Sequence, residues 1–444
     1  MLKPLWWPPS IGVLAILLAA PAQAQEVLTL SEATQQALTH HAGLRAAQAE
    51  VAERDARMSE ARAGWFPRIS VAETWQRGDQ PVFVFSSLLA ARQFTAASFT
   101  IDALERPDAI GFHRTSVVFQ QPLFDGRLHA DVERARLMRD AARLTLDESR
   151  ATLAATTAET YGRIVVAHAT HHAIDSALEA GRADRARAAA RRDAGMATDA
   201  DVLALDAHVA ALAQQAIQAD ADEVIARASL NRLMGSPVTR TYLVAEWLGP
   251  DPVPGDVDLG ALLAEAEAAR PELRLASLTD HLARTERRLA RASLLPRVST
   301  QAAVEVSGTR FNDRASSWLM GAEVSWNVSL GGSERARLRA AARASDKAAA
   351  EADDARAAVD VEVVSALTER RAALARVDAG RAAVAQAHES ARIVRDRFEA
   401  GMAGVTDLLR AQGAVLDAEA ERTAAVVAAM VSNAKLTRAL GRQP

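Results

Sequence analysis

The apolar and polar positions of this chain follow two different periods, and the periods alternate in the same order in each half. Stretches with helical spacing predict helices at roughly residues 30–64, 128–192 and 199–234 of the first half and 333–398 of the second. A helix of roughly 65 residues is a rod of about 100 Å. Such rods must pack in a bundle, a coiled coil or a tube, because no compact core can hold them.

Between the helices the period changes to two. Residues 298–307 and 318–330 alternate apolar with polar side chains around a polar turn at 308–317, which predicts two strands with one apolar face. Weaker versions occupy 69–76 and 115–124. Trp318 and Trp326 share the apolar face and lie roughly 26 Å apart along a strand. Their spacing fits the two rims of an outer-membrane apolar band, and with Trp75 they are the predicted membrane-interface aromatics.

The chain is a tandem duplication. Gly-Met-Ala at 195–197 recurs at 401–403, an offset of 206 residues, whereas Pro67 and Pro296 lie 229 residues apart. The difference, 229 minus 206, is a 23-residue insertion in the first copy, which we interpret as a long outward loop. The predicted organisation is a first repeat at 25–236 with a hairpin at about 67–124, a linker at 237–257, and a second repeat at 258–444 with a hairpin at about 296–330.

Each copy breaks its long helix at the Gly-Met-Ala motif. Glycine permits the chain to reverse, and Thr198 with Asp201 predicts a capping box that starts the next helix. Four strands cannot close a barrel, and an open sheet edge in lipid leaves unpaired backbone groups. The strands therefore have to be completed by other copies of the chain.

The N-terminus and the composition narrow the class of protein. Residues 1–24 combine a lysine, a short apolar run and a small-residue cleavage pattern, which predicts a cleaved secretory signal. The chain has no cysteine, so disulfides, thiolate metal sites and cysteine nucleophiles are excluded. The net charge of -4 comes from interspersed acids and bases, so nucleic acid is not an expected partner.

No motif predicts catalysis or a cofactor. The chain lacks GxSxG and the glycine-rich phosphate loops of nucleotide-binding proteins. His168, His171 and His172 have the helical spacing of metal ligands, but no histidines occur at the repeat-related positions. We interpret them as part of a solvated helix face, and we predict no enzyme activity, metal or cofactor.

In these features the sequence resembles the TolC-type outer-membrane efflux family, over essentially all of the chain after the signal. The resemblance depends on the duplicated element order and on four motifs, QPLFDGR at 121–127, NRLMG at 231–235, FEAGMAGVTDLLRAQ at 398–412 and TRALG at 437–441. It implies a mainly α protomer with a small β part, and a homotrimer that forms a periplasmic α-barrel and a 12-stranded β-barrel. It also implies the outer membrane of a Gram-negative cell, with lipid around the strands and the helices in the periplasm.

The resemblance further implies a passive channel in a tripartite efflux system, fed by an inner-membrane pump through a periplasmic adaptor of the membrane-fusion type. The adaptor would dock on the two helical tips, at Gly195, Met196, Ala197, Thr198, Asp201, Gly401, Met402, Gly404, Thr406 and Asp407. The pore would be narrowest in the turns just before the tips, at Arg191, Arg192, Asp193, Arg392, Arg395, Asp396, Arg397 and Glu399. Such a mixed-sign ring is either locked by ion pairs between copies or solvated, and we favour solvation.

Three alternatives remain open at this point. The chain could be the exit duct for type I protein or peptide secretion. A periplasmic adaptor would have one helical hairpin framed by small β domains, and a coiled-coil structural protein would carry heptads through its stalk. The duplication around two strand hairpins with outward tryptophans favours the channel.

Overall fold

The computed structural model describes residues 27–245, 258–327 and 330–442. The predicted signal at 1–24 and residues 246–257 of the predicted linker lie outside the described residues. In chain order the elements are β1 (Val27–Leu28), α1 (Leu30–His40), α2 (Ala42–Ala63), β2 (Arg68–Gly78), α3 (Pro81–Ala90), a 3₁₀ turn (Ala96–Phe99), α4 (Ile101–Glu105), β3 (Ile110–Phe124), α5 (Gly126–Asp193), α6 (Asp199–Leu233), β4 (Leu243–Val244), α7 (Leu259–Ala269), α8 (Pro271–Ala292), β5 (Arg297–Arg310), β6 (Asp313–Ser325), α9 (Ser333–Glu399) and α10 (Val405–Ala439).

The long helices confirm the helical prediction closely. Helix α5 has 68 residues and its counterpart α9 has 67, while α6 and α10 have 35 residues each. Helix α5 packs against α6 and α10, and α9 packs against α10. The buried apolar side chains form separate small clusters along these rods rather than one core. The predicted fold class, mainly α with a small β part, is confirmed.

The first helix of each repeat is broken, which corrects the prediction of one helix over residues 30–64. The backbone is extended at His41 between α1 and α2 and at Arg270 between α7 and α8. Pro271 explains the second break, because proline disfavours helical backbone at the residue before it. The first break has no proline, so no such signal marks it.

The final glycine of each repeat packs against this break. Gly235 has a φ of +66°, and a Cβ on it would lie 2.7 Å from the carbonyl oxygen of His40. Gly441 has a φ of +69°, and a Cβ on it would lie 2.9 Å from the carbonyl carbon of Ala269. Both the left-handed backbone and the close approach require glycine. The motifs NRLMG and TRALG therefore end each repeat against its own beginning.

A small parallel sheet ties the two ends of the first repeat together. Strand β1 pairs with β4, and the buried Tyr161 of α5 donates its hydroxyl to the carbonyl oxygens of Leu28 (2.9 Å) and Ala245 (3.1 Å). Burial raises the pKa of the Tyr161 hydroxyl. This junction fixes where the chain enters and leaves the helical layer.

The other four strands form one antiparallel sheet in the order β2-β3-β5-β6. The two hairpins are adjacent because β3 pairs with β5 from Gly308 opposite His113 down to Val298 opposite Phe124. The second hairpin turns more tightly than predicted, since β5 continues to Arg310 and β6 starts at Asp313. Strand β6 ends at Ser325, before the predicted end at residue 330. Strands β2 and β6 are the two edges.

The insertion corrects the prediction of a long outward loop. Between β2 and β3 the chain forms α3, the 3₁₀ turn and α4, and α3 packs back onto β5. Its aromatic rings support this fold, because Phe94 makes edge-on contacts with Phe85 at 4.9 Å and with Phe99 at 5.1 Å between ring centroids.

Candidate functional site at the helical tips and the sheet

The first tip is the turn between α5 and α6. Gly195 has a φ of +73°, and the amides of Gly195 and Met196 donate to carbonyl oxygens of the last turn of α5, each at 2.8 Å. The predicted capping box is confirmed, since the Thr198 amide donates to Asp201 Oδ2 (2.9 Å) and the Asp201 amide to Thr198 Oγ1 (3.2 Å). These hydrogen bonds, from the backbone and then the hydroxyl of Thr198, lower the pKa of the Asp201 carboxyl.

The second tip, between α9 and α10, reverses in the same way but starts its second helix differently. Gly401 has a φ of +75°. Gly404 is the N-cap of α10 and has no side chain to cap it, so the amide of Asp407 bonds only to the Gly404 carbonyl, at 3.1 Å. Met196 and Met402 are exposed at the two tips. The two turns therefore present similar shapes with different local stability.

Arg191 joins the two tips. Its Nη1 donates to the carbonyl oxygens of Phe398 (2.7 Å) and Glu399 (3.3 Å), and its guanidinium lies 5.5 Å from the centroid of the Phe398 ring. These carbonyls are among the last of α9, which have no partner within their own helix. Beneath this contact Val202 and Val405 are buried in one cluster. The tips of the two hairpins are thus packed as one unit, which the sequence did not reveal.

The other predicted constriction residues pair locally. Arg192 contacts its neighbour Asp193 at 2.7 Å, and Arg392 contacts Glu389 at 2.7 Å and Asp396 at 2.9 Å. These side chains are largely exposed. Because solvent screens exposed pairs of this kind, they contribute little to stability. Within one copy they do not connect the two hairpins.

The strand register sorts the sheet into two faces. One face, which we call the outer face, carries Val71 opposite Val117, then Val304 and Trp318, all in one row across the four strands. The other, which we call the inner face, carries mainly polar side chains in the neighbouring rows. Examples are the row Arg68, Gln120, Gln301 and Gly321 and the row Ala72, Ser116, Glu305 and Ser317.

The three tryptophans lie on the outer face and are exposed. Trp75 lies in the row of His113 and Gly308 near one end of the sheet, and Trp318 lies lower on β6. Trp326 directly follows β6, and its Nε1 donates to the carbonyl oxygen of Leu294 at 3.0 Å. The apolar rows of the outer face therefore run from Trp318 towards Trp326, whereas the row between Trp75 and Trp318 holds Glu73, Thr115, Val306 and Ser316.

The histidine cluster on α5 is not simply a solvated face. Nδ1 of His171 lies 3.3 Å from Glu223 Oε2 on α6, and Nδ1 of His168 lies 3.4 Å from Oε1. Arg227 also contacts Glu223, and the His171 side chain is only 29% exposed. Burial alone would raise the pKa of Glu223, but the hydrogen bond from His171 and the charges of Arg227 and His168 outweigh it, so the pKa is lowered.

The described residues contain no cluster of three or more histidine, aspartate or glutamate side chains placed to hold a metal ion.

Among the helices of the described residues, none is both long enough and apolar enough to cross a membrane.

The fold and these surfaces define a class of protein. A protomer with two duplicated rods, two tips and a four-stranded sheet that is apolar on its outer face is a subunit of an outer-membrane channel of the TolC type. Residues 33–236 and 262–442 match the family described as "Outer membrane efflux protein". The chain belongs to this family. It is accordingly an outer-membrane protein with its helical part in the periplasm.

Individual relatives are distant. The chain is 26% identical over 415 residues to Protein CyaE of Bordetella pertussis (strain Tohama I). This alignment covers 90% of this chain and 81% of the relative. The structure of the outer-membrane channel OprN is similar with a TM-score of 0.75 at 24% identity, over 94% of this chain and 91% of that one. VceC of Vibrio cholerae gives a TM-score of 0.75 at 18% identity, over 93% and 96% of the two chains. These structures establish the shared fold.

Proposed function

We propose that this chain is the outer-membrane channel of a tripartite efflux system and that it works as a homotrimer. It passively conducts substrates that an inner-membrane pump delivers through a periplasmic adaptor. The two repeats, at 25–236 and 258–444, each supply one strand hairpin and one pair of rods to the wall of the channel. Tryptophans 75, 318 and 326 lie at the lipid interfaces.

The observation that carries this proposal is the open sheet. Strands β2 and β6 have free edges, and the face they share is apolar. In lipid each unpaired backbone group costs several kcal/mol, so β6 of one copy has to pair with β2 of the next. Three copies of four strands give twelve, which is within the range of outer-membrane barrels.

The rods support the same assembly. Helices α6 and α9 lie at the two edges of the helical layer, because α5 and α10 pack against each other between them. On α6 the exposed side chains of Leu203, Ile217 and Val224 recur at multiples of seven residues. This seven-residue spacing forms a seam for another helix. Twelve rods about 10 Å apart enclose a lumen roughly 25–30 Å across.

We assign the adaptor contact to the two tips, because they carry exposed Met196 and Met402 on a turn that is rigidly held. The turns just above them, with the charged residues of the predicted constriction, then form the narrowest ring. Since Arg191, Arg192 and Arg392 already have partners within their own copy, we expect the ring to be solvated and not locked by ion pairs between copies.

The absence of cysteine makes the test direct. One variant, Met402→Cys, places a single cysteine at the tip, and the control Asp354→Cys places one at an exposed position of α9 far from the tip. Both variants are crosslinked in cells that express the cognate adaptor. We expect adaptor crosslinks from the tip alone, a trimer in mild detergent, and increased sensitivity of a deletion strain to toxic small molecules. A monomer, or a deletion that stops protein secretion without changing sensitivity to any compound, contradicts the proposal.

A further inference from the structure

The insertion helix α3 lies on the inner face of the sheet. Its buried residues Val84 and Ser87 face the strands. Directly beneath are Phe112 and Ser307, which are 1% and 2% exposed and belong to the inner-face rows. The helix therefore covers the polar side of the strands, opposite the apolar face with the tryptophans.

This helix crosses the whole sheet and is held at both ends. At its start, the centroid of the Phe83 ring lies 6.3 Å from that of Phe112 on β3. The Phe83 ring also lies over Gly78 of β2, where a Cβ would be 3.7 Å from it. Just beyond its end, Arg92 Nη2 donates to the Ser316 carbonyl (3.1 Å) and Gln93 Nε2 to Asp313 Oδ2 (2.8 Å), both on β6. A ten-residue helix is about 15 Å long, and four strands are about 14 Å wide. Helix α3 is therefore a strap across the end of the sheet.

The side of the insertion that faces away from the sheet is also apolar. The sequence of α3, PVFVFSSLLA, has no charged residue. Val82 is 81% exposed, and in the rest of the insertion Phe99 is 67% and Ile101 76% exposed. A helix that is apolar all round is stable only when it is buried all round. At about 15 Å it is far too short to span a bilayer, so protein has to cover it.

The position of the strap identifies that protein. A closed wall of twelve strands, spaced about 4.8 Å apart and tilted by about 40°, has a radius near 12 Å. A helix packed about 10 Å inside this wall lies within one helix radius of the channel axis. Three helices packed about 8–10 Å apart around a threefold axis have their own axes about 5–6 Å from it, so three straps would fill the lumen at this level and leave no room for another partner.

We propose that the apolar faces of the three insertions pack against one another on the channel axis and close its outer mouth. This inference depends on the proposed trimeric channel, and its surface partner is a second copy of this chain. Each copy contributes α3 and the residues around Phe99 and Ile101 to one apolar plug. The plug separates the lumen from the exterior independently of the periplasmic tips.

Crosslinking tests the contact. Val82→Cys places a thiol on the exposed face of the strap, and the control Val71→Cys places one on the equally accessible outer face of β2. With a short bis-maleimide in purified protein, we expect dimers on denaturing gels from Val82→Cys and none from Val71→Cys. A protein that is trimeric in detergent but gives no Val82→Cys crosslink overturns the plug and leaves the proposed channel intact. A monomer overturns both.

Accessibility tests the closure. Gln301→Cys lies on the inner face below the strap, and Asn312→Cys lies on the exposed turn between β5 and β6. In intact cells, a bulky polyethylene-glycol maleimide should label Asn312→Cys readily and Gln301→Cys slowly. Adding Val82→Asp and Leu89→Asp, which place charges in the plug, should raise Gln301→Cys labelling by roughly tenfold. Equal labelling with and without these charges refutes the closure, whatever the state of the periplasmic tip.

Discussion

Arg191 provides the sharpest prediction, because one side chain connects the two tips. Arg191→Gln removes the charge and shortens the reach, so the carbonyl oxygens of Phe398 and Glu399 lose the hydrogen bonds from the guanidinium. A hydrogen bond to a charged group contributes about 1.5–3 kcal/mol. The guanidinium-ring contact adds about 0.5–1 kcal/mol at an exposed site. Since the tip is open to solvent, we expect a local loss of about 2 kcal/mol in total.

The loss should appear in the second tip, although the mutation is in the first. The amide of Gly401 donates to the carbonyl oxygen of Phe398 at 3.0 Å, and the amide of Met402 donates to the carbonyl oxygen of Arg397 at 2.8 Å. A local loss of about 2 kcal/mol corresponds to roughly 30-fold faster hydrogen exchange at these amides. Exchange in the first half of α5 should not change.

The control is Arg397→Gln, the repeat-related exposed residue of α9. It should leave exchange at the second tip within about twofold of the wild type, because an exposed surface substitution changes stability by about 0.5 kcal/mol or less. If Arg191→Gln also leaves exchange at Gly401 and Met402 unchanged, Arg191 does not stabilise the second tip and the reasoning is wrong.

Three further predictions concern single sites, each measured by urea unfolding of the detergent-solubilised protein. Thr198→Ala should cost about 1 kcal/mol through loss of the N-cap, whereas Thr406→Ala, which does not cap α10, should cost much less; equal losses would contradict the cap assignment. Gly441→Ala should cost about 1–3 kcal/mol, because the backbone of Gly441 is left-handed and a Cβ there would collide with the α7–α8 break. The control Gly413→Ala lies inside α10, where a Cβ would meet no atom within 4 Å, so it should be neutral or stabilising by up to about 1 kcal/mol. Glu223→Gln should cost about 1–3 kcal/mol at neutral pH. The pKa of Glu223 in the folded protein lies below its ordinary value, so the ionised carboxylate contributes its full stabilisation above the unfolded pKa. This stabilisation is lost as the pH falls through the folded pKa, so the stabilities of mutant and wild type should converge in acid. A constant difference down to low pH would refute this role.

The sequence by itself determined the elements and their duplication. Helical spacing and capping signals depend on neighbours a few residues away, so the ends of α5, α6 and α9 were predicted to within about two residues. Alternation with a period of two similarly located the strands, and the apolar face with Trp318 and Trp326 followed from side-chain direction alone. Gly195 and Gly401 were identified as reversal points because only the left-handed backbone fits there.

Only the tertiary structure decided what lies against what. Local sequence did not distinguish the break at His41 from continuous helix, whereas the structure places this break against Gly235, which is distant in the chain. The contact of Arg191 with Phe398 and the burial of Glu223 between histidines both join residues that are far apart in the chain or on different helices.

The insertion shows the difference most clearly. The difference between the two repeat offsets marked it as an addition to the first repeat, but its sequence pattern indicated neither the helix α3 nor its place across the inner face of the sheet. That choice depends on the free energy of burying Phe112 and Ser307 beneath α3 and of the hydrogen bonds to β6. These terms exist only once both hairpins are assembled side by side, which is why the sequence alone predicted an outward loop and the tertiary structure decided both that α3 forms and where it lies.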